Sequence, residues 1–311
     1  MCRAVCPVVE AELVETASPR AKVALCEAVK EGRLGISRAL LDILERCTGC
    51  RACSLNCTSG TDPYGLAVLT RFEHMREEPR LPETTWSVSA FLRDVFVNPE
   101  KEIGEFRRKG RHVRARVAYF IGCAEASRLA EVPRNLLRVF ENLGVETMVP
   151  EEQVCCGWPH ILLGRLDSAK KLALRNRRAF QGFDIVLASC PHCLNTLTFD
   201  YPSLLGITTF RERTKDVLTY LVEEDHDKKL KMRRDSSRVL YARACRMGRG
   251  KDGETLHLSL LKKHMGKFLA EMNSNLCCGA PLQLLVPPLS RSMLENRMRE
   301  IEGSGSSLVL S

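Results

Sequence analysis

From residue 115 onward, short apolar runs alternate with amphipathic stretches. VAYFIG (117 to 122) and DIVLAS (184 to 189) have the length and composition of buried strands, and between them apolar positions recur at helical spacing around Pro133 to Leu143. The same alternation returns with VLYA (239 to 242), a helical pattern over 290 to 302, and SLVLS (307 to 311). Strands alternating with helices predict α/β units built on parallel sheets. The first eighty residues read differently, with few strand patterns. There Leu40, Ile43 and Leu44 share one helical face, Ser37 is placed to cap it, and the segment runs straight into Cys47. The pattern divides the chain into a helical domain over 1 to 80, a helical connector and basic linker over 81 to 114, and α/β modules over 115 to 235 and 236 to 311.

The cysteines turn this outline into chemistry. Of fifteen, Cys123, Cys155 and Cys156 recur as Cys245, Cys277 and Cys278, each displaced by 122 residues. The pairs are followed by matching turns, CCGWP at 155 to 159 and CCGAP at 277 to 281, so the two modules are copies of one thiol-rich unit. The first copy also has Cys190 and Cys193 in CPHC. The same offset puts their counterparts at 312 and 315, and the sequence stops at Ser311. Each group is expected at the carboxyl end of a strand, where open α/β sheets place their sites.

Residues 47 to 57 give a complete C-x2-C-x2-C-x3-C run, and CRAVCP at 2 to 7 is the second half of another. In two-cluster ferredoxins the fourth cysteine of each run ligates the other run's cluster. Cys47, Cys50, Cys53 and Cys6 therefore make one complete 4Fe-4S set, while Cys2 and Cys57 are a partial second set whose other ligands would lie upstream of Met1. The chain is expected to be truncated at both ends. The domain of residues 1 to 80 is thus a helical, ferredoxin-like iron-sulfur domain with its first motif incomplete.

Composition narrows the alternatives. The chain holds no apolar run of membrane-spanning length and no signal-sequence pattern, which fits a cytoplasmic protein, at most peripheral at a membrane. Disulfides suit short secreted chains better than this regular CxxC spacing. Structural zinc would suit Cys190 and Cys193 taken alone, but not three cysteines at successive three-residue steps. Adjacent Cys155 and Cys156 are harder to place on one small site, leaving a redox vicinal pair, two buried thiols, or five thiolates on a larger cluster. The net charge of +9 is concentrated in two runs, Arg107 to Arg116 and Lys228 to Arg234, that lie between modules. They lack interleaved aromatics, so they read as solvated linkers or as docking sites for an acidic redox partner rather than a nucleic-acid platform. His160 and His192 flank the first site as rim residues or proton carriers, Trp158 either shields it or packs, and Cys26, on a helix over 21 to 31, fits the core.

ASPRAKVALCEAVKEG (17 to 32), the C-x2-C-x2-C-x3-C run and the two CCG modules together resemble the iron-sulfur subunit of glycolate oxidase. They also resemble its relatives: the D subunit of heterodisulfide reductase and the iron-sulfur subunits of lactate-utilisation and anaerobic glycerol-3-phosphate dehydrogenase complexes. The resemblance implies a mostly helical part with two cubane clusters, followed by two pseudo-symmetric α/β CCG modules. It also implies a noncubane cluster on Cys123, Cys155, Cys156, Cys190 and Cys193, and a partial second CCG site on Cys245, Cys277 and Cys278. The family's second module usually opens His-Asp-Pro-Cys-His, where this chain has Ala242, Arg243, Ala244, Cys245 and Arg246, and Thr58 replaces the proline after Cys57.

No P-loop or Ser-His-Asp context is present, and no flavin or nicotinamide site of the chain's own is expected. The expected role is therefore an electron-transfer subunit. It would take electrons from a separate FAD-containing 2-hydroxy acid dehydrogenase subunit and pass them to a quinone or other acceptor. Two other readings stand beside it: a heterodisulfide reductase-like subunit with a catalytic noncubane cluster, and a non-enzymatic metal-binding scaffold.

Overall fold

The computed structural model describes residues 2–77, 116–230, 237–242, 244, 246, 253–272, 277–283 and 285–310. The expected connector over 81 to 114, most of the basic run before Arg116, and Cys245 lie outside the described residues.

The amino-terminal segment is helical, with α1 at Pro7–Glu12, α2 at Pro19–Lys30, α3 at Arg38–Glu45, α4 at Ala52–Leu55 and α5 at Pro63–Glu77. Ser18 caps α2 by accepting from the Ala21 amide, and Pro19 supplies a preset first turn. Ser37 caps α3 by accepting from the Leu40 amide, as its position suggests. The buried face of α3 is Leu40, Leu41 and Leu44, with Ile43 only half-buried. Cys26 is buried against Leu40, Leu44 and Ala67, in the core role expected of it.

The first α/β unit contains β1 (Val117–Phe120), α6 (Cys123–Arg128), α7 (Glu131–Leu143), β2 (Thr147–Met148), α8 (Trp158–Leu162), α9 (Leu166–Ala179) and β3 (Ile185–Ala188). It continues through α10 (Pro191–Asn195), a π-helix over Thr196–Leu205, β4 (Thr214–Asp216) and α11 (Val217–Glu223). Its strands are parallel, in the order β2-β1-β3-β4. Alternate β1 residues serve opposite cores: Ala118 and Phe120 pack with Val186 and Phe180, whereas Val117, Tyr119 and Ile121 pack with Phe140 and Leu221. Both faces being covered explains the unbroken apolar run in the sequence.

The second unit holds β5 (Val239–Tyr241), α12 (Gly253–Met265), β6 (Leu269–Glu271), α13 (Pro287–Gly303) and β7 (Leu308–Leu310). Its sheet is again parallel, in the order β6-β5-β7. In both sheets the first strand is internal and the order in which strands are added reverses beside it, so the switch point lies between β1 and β3 and again between β5 and β7.

The three parts share cores. Tyr64 and Val68 of α5 pack with Cys155, Cys156, Cys193 and Phe120, and Arg71 donates from Nη1 to the Leu162 carbonyl at 2.8 Å. Val8 and Val9 of α1 pack with Cys277, Leu289 and Met293. A buried His257 on α12 is hydrogen-bonded to Asp216 at 2.6 Å, joining the second unit to the first.

Candidate iron-sulfur sites

Cys123 follows β1 and Cys190 follows β3, at the carboxyl ends of the two strands flanking the switch point. The CC pair reaches the same place from the loop before α8. Cys155 Sγ lies 3.7 Å from Cys123 Sγ, Cys156 is hydrogen-bonded to Cys155 and Cys193, and Cys193 to Cys190. The structure thus brings all five expected cysteines of the first module into one continuous thiol chain. Hydrogen bonding to Cys123 and Cys156, with burial, pushes Cys155 up, and hydrogen bonding to Cys156 and Cys190 does the same for Cys193. Cys156 is instead held down, because it accepts from Cys155 and Cys193. Burial with mutual repulsion makes this set costly as free thiolates, a cost that binding to cationic iron removes.

Residues other than cysteine hold the pair in place. Buried Asn176 accepts from the Val154 amide at 2.9 Å and donates to the Cys155 carbonyl at 3.0 Å. Tyr201 donates to the Cys156 carbonyl at 2.9 Å, and Gln153 bonds both the amide and the carbonyl of Ile121. Gly157 has φ +82°, and a Cβ there would lie 3.3 Å from the Ala169 Cα. Its amide points back to Cys155 Sγ at 3.4 Å. The second unit repeats the device: Gly279 has φ +71° and its amide meets Cys277 Sγ at 3.4 Å. Cys277 is buried and Cys278 exposed, the latter lowered to about 6 chiefly by a hydrogen bond from Cys277.

Beside the first site, three buried ring nitrogens have no hydrogen-bond partner among the described residues: Trp158 Nε1, His160 Nδ1 and His192 Nδ1. The Trp158 and His192 rings pack at a tilt of 35° with centroids 4.1 Å apart, and burial lowers both histidines, His192 to about 3. The Trp158 N–H is a donor, and each neutral imidazole can present one, so these groups fit an anionic group with sulfur acceptors.

In the amino-terminal segment Cys6, Cys47, Cys50 and Cys53 line one recess, together with Pro7, Lys22 and Tyr64. Burial raises Cys6, and burial with repulsion from Cys47 and Cys50 raises Cys53 strongly. The four cysteines grouped from sequence thus line the same recess. Arg51, between Cys50 and Cys53, adopts φ +58°, a left-handed turn that is uncommon for arginine and is held by ion pairs to Asp62 and Asp200. Cys57 points elsewhere: it is hydrogen-bonded to Ser59 and lowered by that bond to about 7. Cys2 and Cys57 are both partly exposed. Among the described residues no three Cys, His, Asp or Glu side chains close on a single point as a one-ion site requires.

The family model for the cysteine-rich domain named CCG matches residues 117–198 and 239–311. Both α/β units are CCG cysteine-rich domains. Among curated relatives, the B subunit of fumarate reductase (CoM/CoB) from Methanothermobacter marburgensis is 34% identical over 55% of this chain and 34% of its own length. The probable glycolate oxidase iron-sulfur subunit of Bacillus subtilis is 25% identical over 99% of this chain and 84% of its own. The D subunit of the dihydromethanophenazine:CoB–CoM heterodisulfide reductase of Methanosarcina acetivorans is 27% identical, covering 83% and 68%. The chain thus spans about a third of the first relative's length and most of the second's. No solved structure matches it. Among the described residues no helix is long and apolar enough to cross a membrane.

Proposed function

We propose that the chain is the iron-sulfur, electron-transferring subunit of an oxidoreductase, receiving electrons from a FAD-containing 2-hydroxy acid dehydrogenase subunit and passing them to a quinone or other acceptor. The observation that carries this reading is the position of the four-cysteine recess between the two CCG sites. Cys47 packs against the core that holds Cys155, Cys156 and Cys193, while Cys6 packs against the core that holds Cys277. A row of thiol sites in shared apolar cores suits passage of electrons through the protein better than turnover of a substrate at one end. The relative matched over nearly the whole chain is itself named as an iron-sulfur subunit.

In this reading residues 1 to 80 form the ferredoxin-like domain, 81 to 114 the connector, and 115 to 235 and 236 to 311 the CCG modules. Cys6, Cys47, Cys50 and Cys53 hold a 4Fe-4S cluster. Cys123, Cys155, Cys156, Cys190 and Cys193 hold a second, noncubane cluster, while Cys2 and Cys57, and Cys245, Cys277 and Cys278, contribute to further sites. Bound iron-sulfur clusters supply one-electron redox chemistry. The protein's part is to fix the thiolates through Asn176, Tyr201 and Gln153, to donate from the ring nitrogens, and to keep water out with Tyr64 and Phe120. The flavin stays on the partner, and any association with a membrane is peripheral.

The competing reading, disulfide reduction at the first CCG site, draws on the two relatives whose names carry CoM and CoB. Anaerobically prepared protein separates the two. Under the relay reading it contains iron and acid-labile sulfide, Cys155→Ser or Cys156→Ser removes one cluster spectrum, and electron flow from a flavoprotein dehydrogenase slows while binding survives. Multi-turnover disulfide reduction by the isolated chain with an artificial donor, lost in the same variants, would replace the relay with the alternative. Zinc without iron would leave only the scaffold.

A further inference from the structure

Between the four-cysteine recess and the first CCG site runs a row of alternating charges drawn from all three parts of the chain. Arg51 Nη1 lies 3.3 Å from Asp62 Oδ2, Arg51 Nη2 lies 2.7 Å from Asp200 Oδ1, and Arg246 Nη2 lies 2.9 Å from Asp200 Oδ2. Side-chain exposure falls along the row, from 31% at Asp62 and 12% at Arg51 to 0% at Asp200 and 1% at Arg246. The outer carboxylate is screened by water, whereas the inner end is a cation in the region of lowest effective dielectric. Arg246 belongs to the second module, yet its guanidinium lies 5.2 Å from the Trp158 ring and 5.8 Å from the Tyr64 ring. Its carbonyl accepts from Asn195 Nδ2. Trp158 and Asn195 stand two residues after Cys156 and Cys193, so an arginine of one module is lodged on the residues that flank the other module's thiols.

Stability alone does not account for such a row. Buried ion pairs gain little over apolar residues of similar volume, because desolvation offsets the attraction. A cluster held by thiolates, in contrast, becomes more negative on reduction, and a fixed cation nearby favours that state.

We propose that Arg246 is a charge-setting positioning residue for the first CCG site: the second module lends the first a buried positive charge, oriented by Asp200, that raises the reduction potential of the cluster on Cys123, Cys155, Cys156, Cys190 and Cys193. This rests on the reading of those five cysteines as a redox cluster site.

The test is an anaerobic redox titration of the full-length, iron-loaded protein, following the spectrum that Cys155→Ser removes, in Arg246→Lys, Arg246→Gln and Asp200→Asn. In Arg246→Gln the reduced-to-oxidised ratio at fixed solution potential should fall on the order of tenfold, a shift of about 59 mV for a one-electron couple. Asp200→Asn should move the ratio the opposite way, and Arg246→Lys, which keeps the charge, should stay within about twofold of the parent protein. Glutamine and asparagine variants that shift together, or not at all, overturn the inference and leave the row a packing feature. Should Arg246→Gln fail to fold, the sign of the Asp200→Asn shift decides alone, an upward shift supporting the inference and any other result overturning it. Parent protein lacking that spectrum overturns the site reading itself and this inference with it, a result visible before any variant is made.

Discussion

Replacing each CCG glycine with alanine asks whether the two copies are held by the same device with the same tolerance. At Gly157 the backbone has φ +82°, and the new methyl would meet the Ala169 Cα at 3.3 Å. A left-handed alanine costs about 1–2 kcal/mol. The contact asks α9 to give by a few tenths of an ångström, and restricting the unfolded chain returns about 0.5–1 kcal/mol. The net expectation is a loss of about 1 kcal/mol. At Gly279, with φ +71°, the methyl would sit 2.8 Å from the Ser290 carbonyl oxygen and 3.0 Å from both the Ser290 Cα and the Met293 Cβ. Backbone on α13 cannot step aside as a flexible side chain would, and overpacking adds about 1–3 kcal/mol, for a net loss of about 2–4 kcal/mol. Native-state hydrogen exchange on metal-free, full-length protein is the suitable assay, because a chain of several units does not unfold in one step. Amides around Cys155 should lose modest protection in Gly157→Ala, and those around Cys277 should lose more in Gly279→Ala. Equal protection in both variants, or greater damage at Gly157, would refute the steric argument.

Other outcomes follow from the same structure. Asn176→Ala leaves the Val154 amide and Cys155 carbonyl without partners, at about 3–5 kcal/mol, while Tyr201→Phe loses the bond to the Cys156 carbonyl and a longer one from Asn176, at about 2 kcal/mol; native-state hydrogen exchange on the metal-free protein orders the two, and equal losses count against the assignment. His257→Ala removes one partner of the 2.6 Å bond to Asp216 and should destabilise the contact between the CCG modules by about 2 kcal/mol, seen as earlier proteolysis between residues 225 and 255. Cys6→Ala and Cys50→Ala should abolish the same cubane signal on reduction, since both line one recess; separate effects would break up the set. In metal-free protein Cys57, lowered to about 7, should react with iodoacetamide at a rate that rises through pH 7 and falls below it, while Cys53, raised by burial, stays slow at neutral pH. A Cys53 as reactive as Cys57 would mean that the recess is open.

The thiols themselves were legible in the sequence because metal-ligand spacing is a local pattern. Cys6, Cys47, Cys50 and Cys53 share one recess and the five cysteines of the first module lie in one thiol chain, beside the ends of the strands at VAYFIG and DIVLAS. What supports them was not legible. Asn176 sits mid-helix on α9 and Tyr201 in the π-helix, positions whose sequence context gives no sign that they reach back to the CC pair. Asp200 and Arg51 are separated by 149 residues, so only the folded chain pairs them. Arg246 stood in view directly after Cys245, but as a departure from the family's histidine rather than as a contact. The buried face of α3 shifted from Ile43 to Leu41 because α3 must serve both α2 and α5, which a single helical stripe does not encode.

Duplication hands a protein two equivalent halves, and the amino-terminal helices end that equivalence. They meet the first CCG module through Tyr64, Val68 and Arg71 of α5, and the second through Val8 and Val9 of α1. Each copy has thus been fitted to a different partner surface, and substitutions accumulated by one cannot be borrowed by the other. A chimera carrying residues 239–311 in the place of 117–198 would preserve the repeat on paper and lose the seat for α5. The faces turned toward the helical segment can therefore change only together with it.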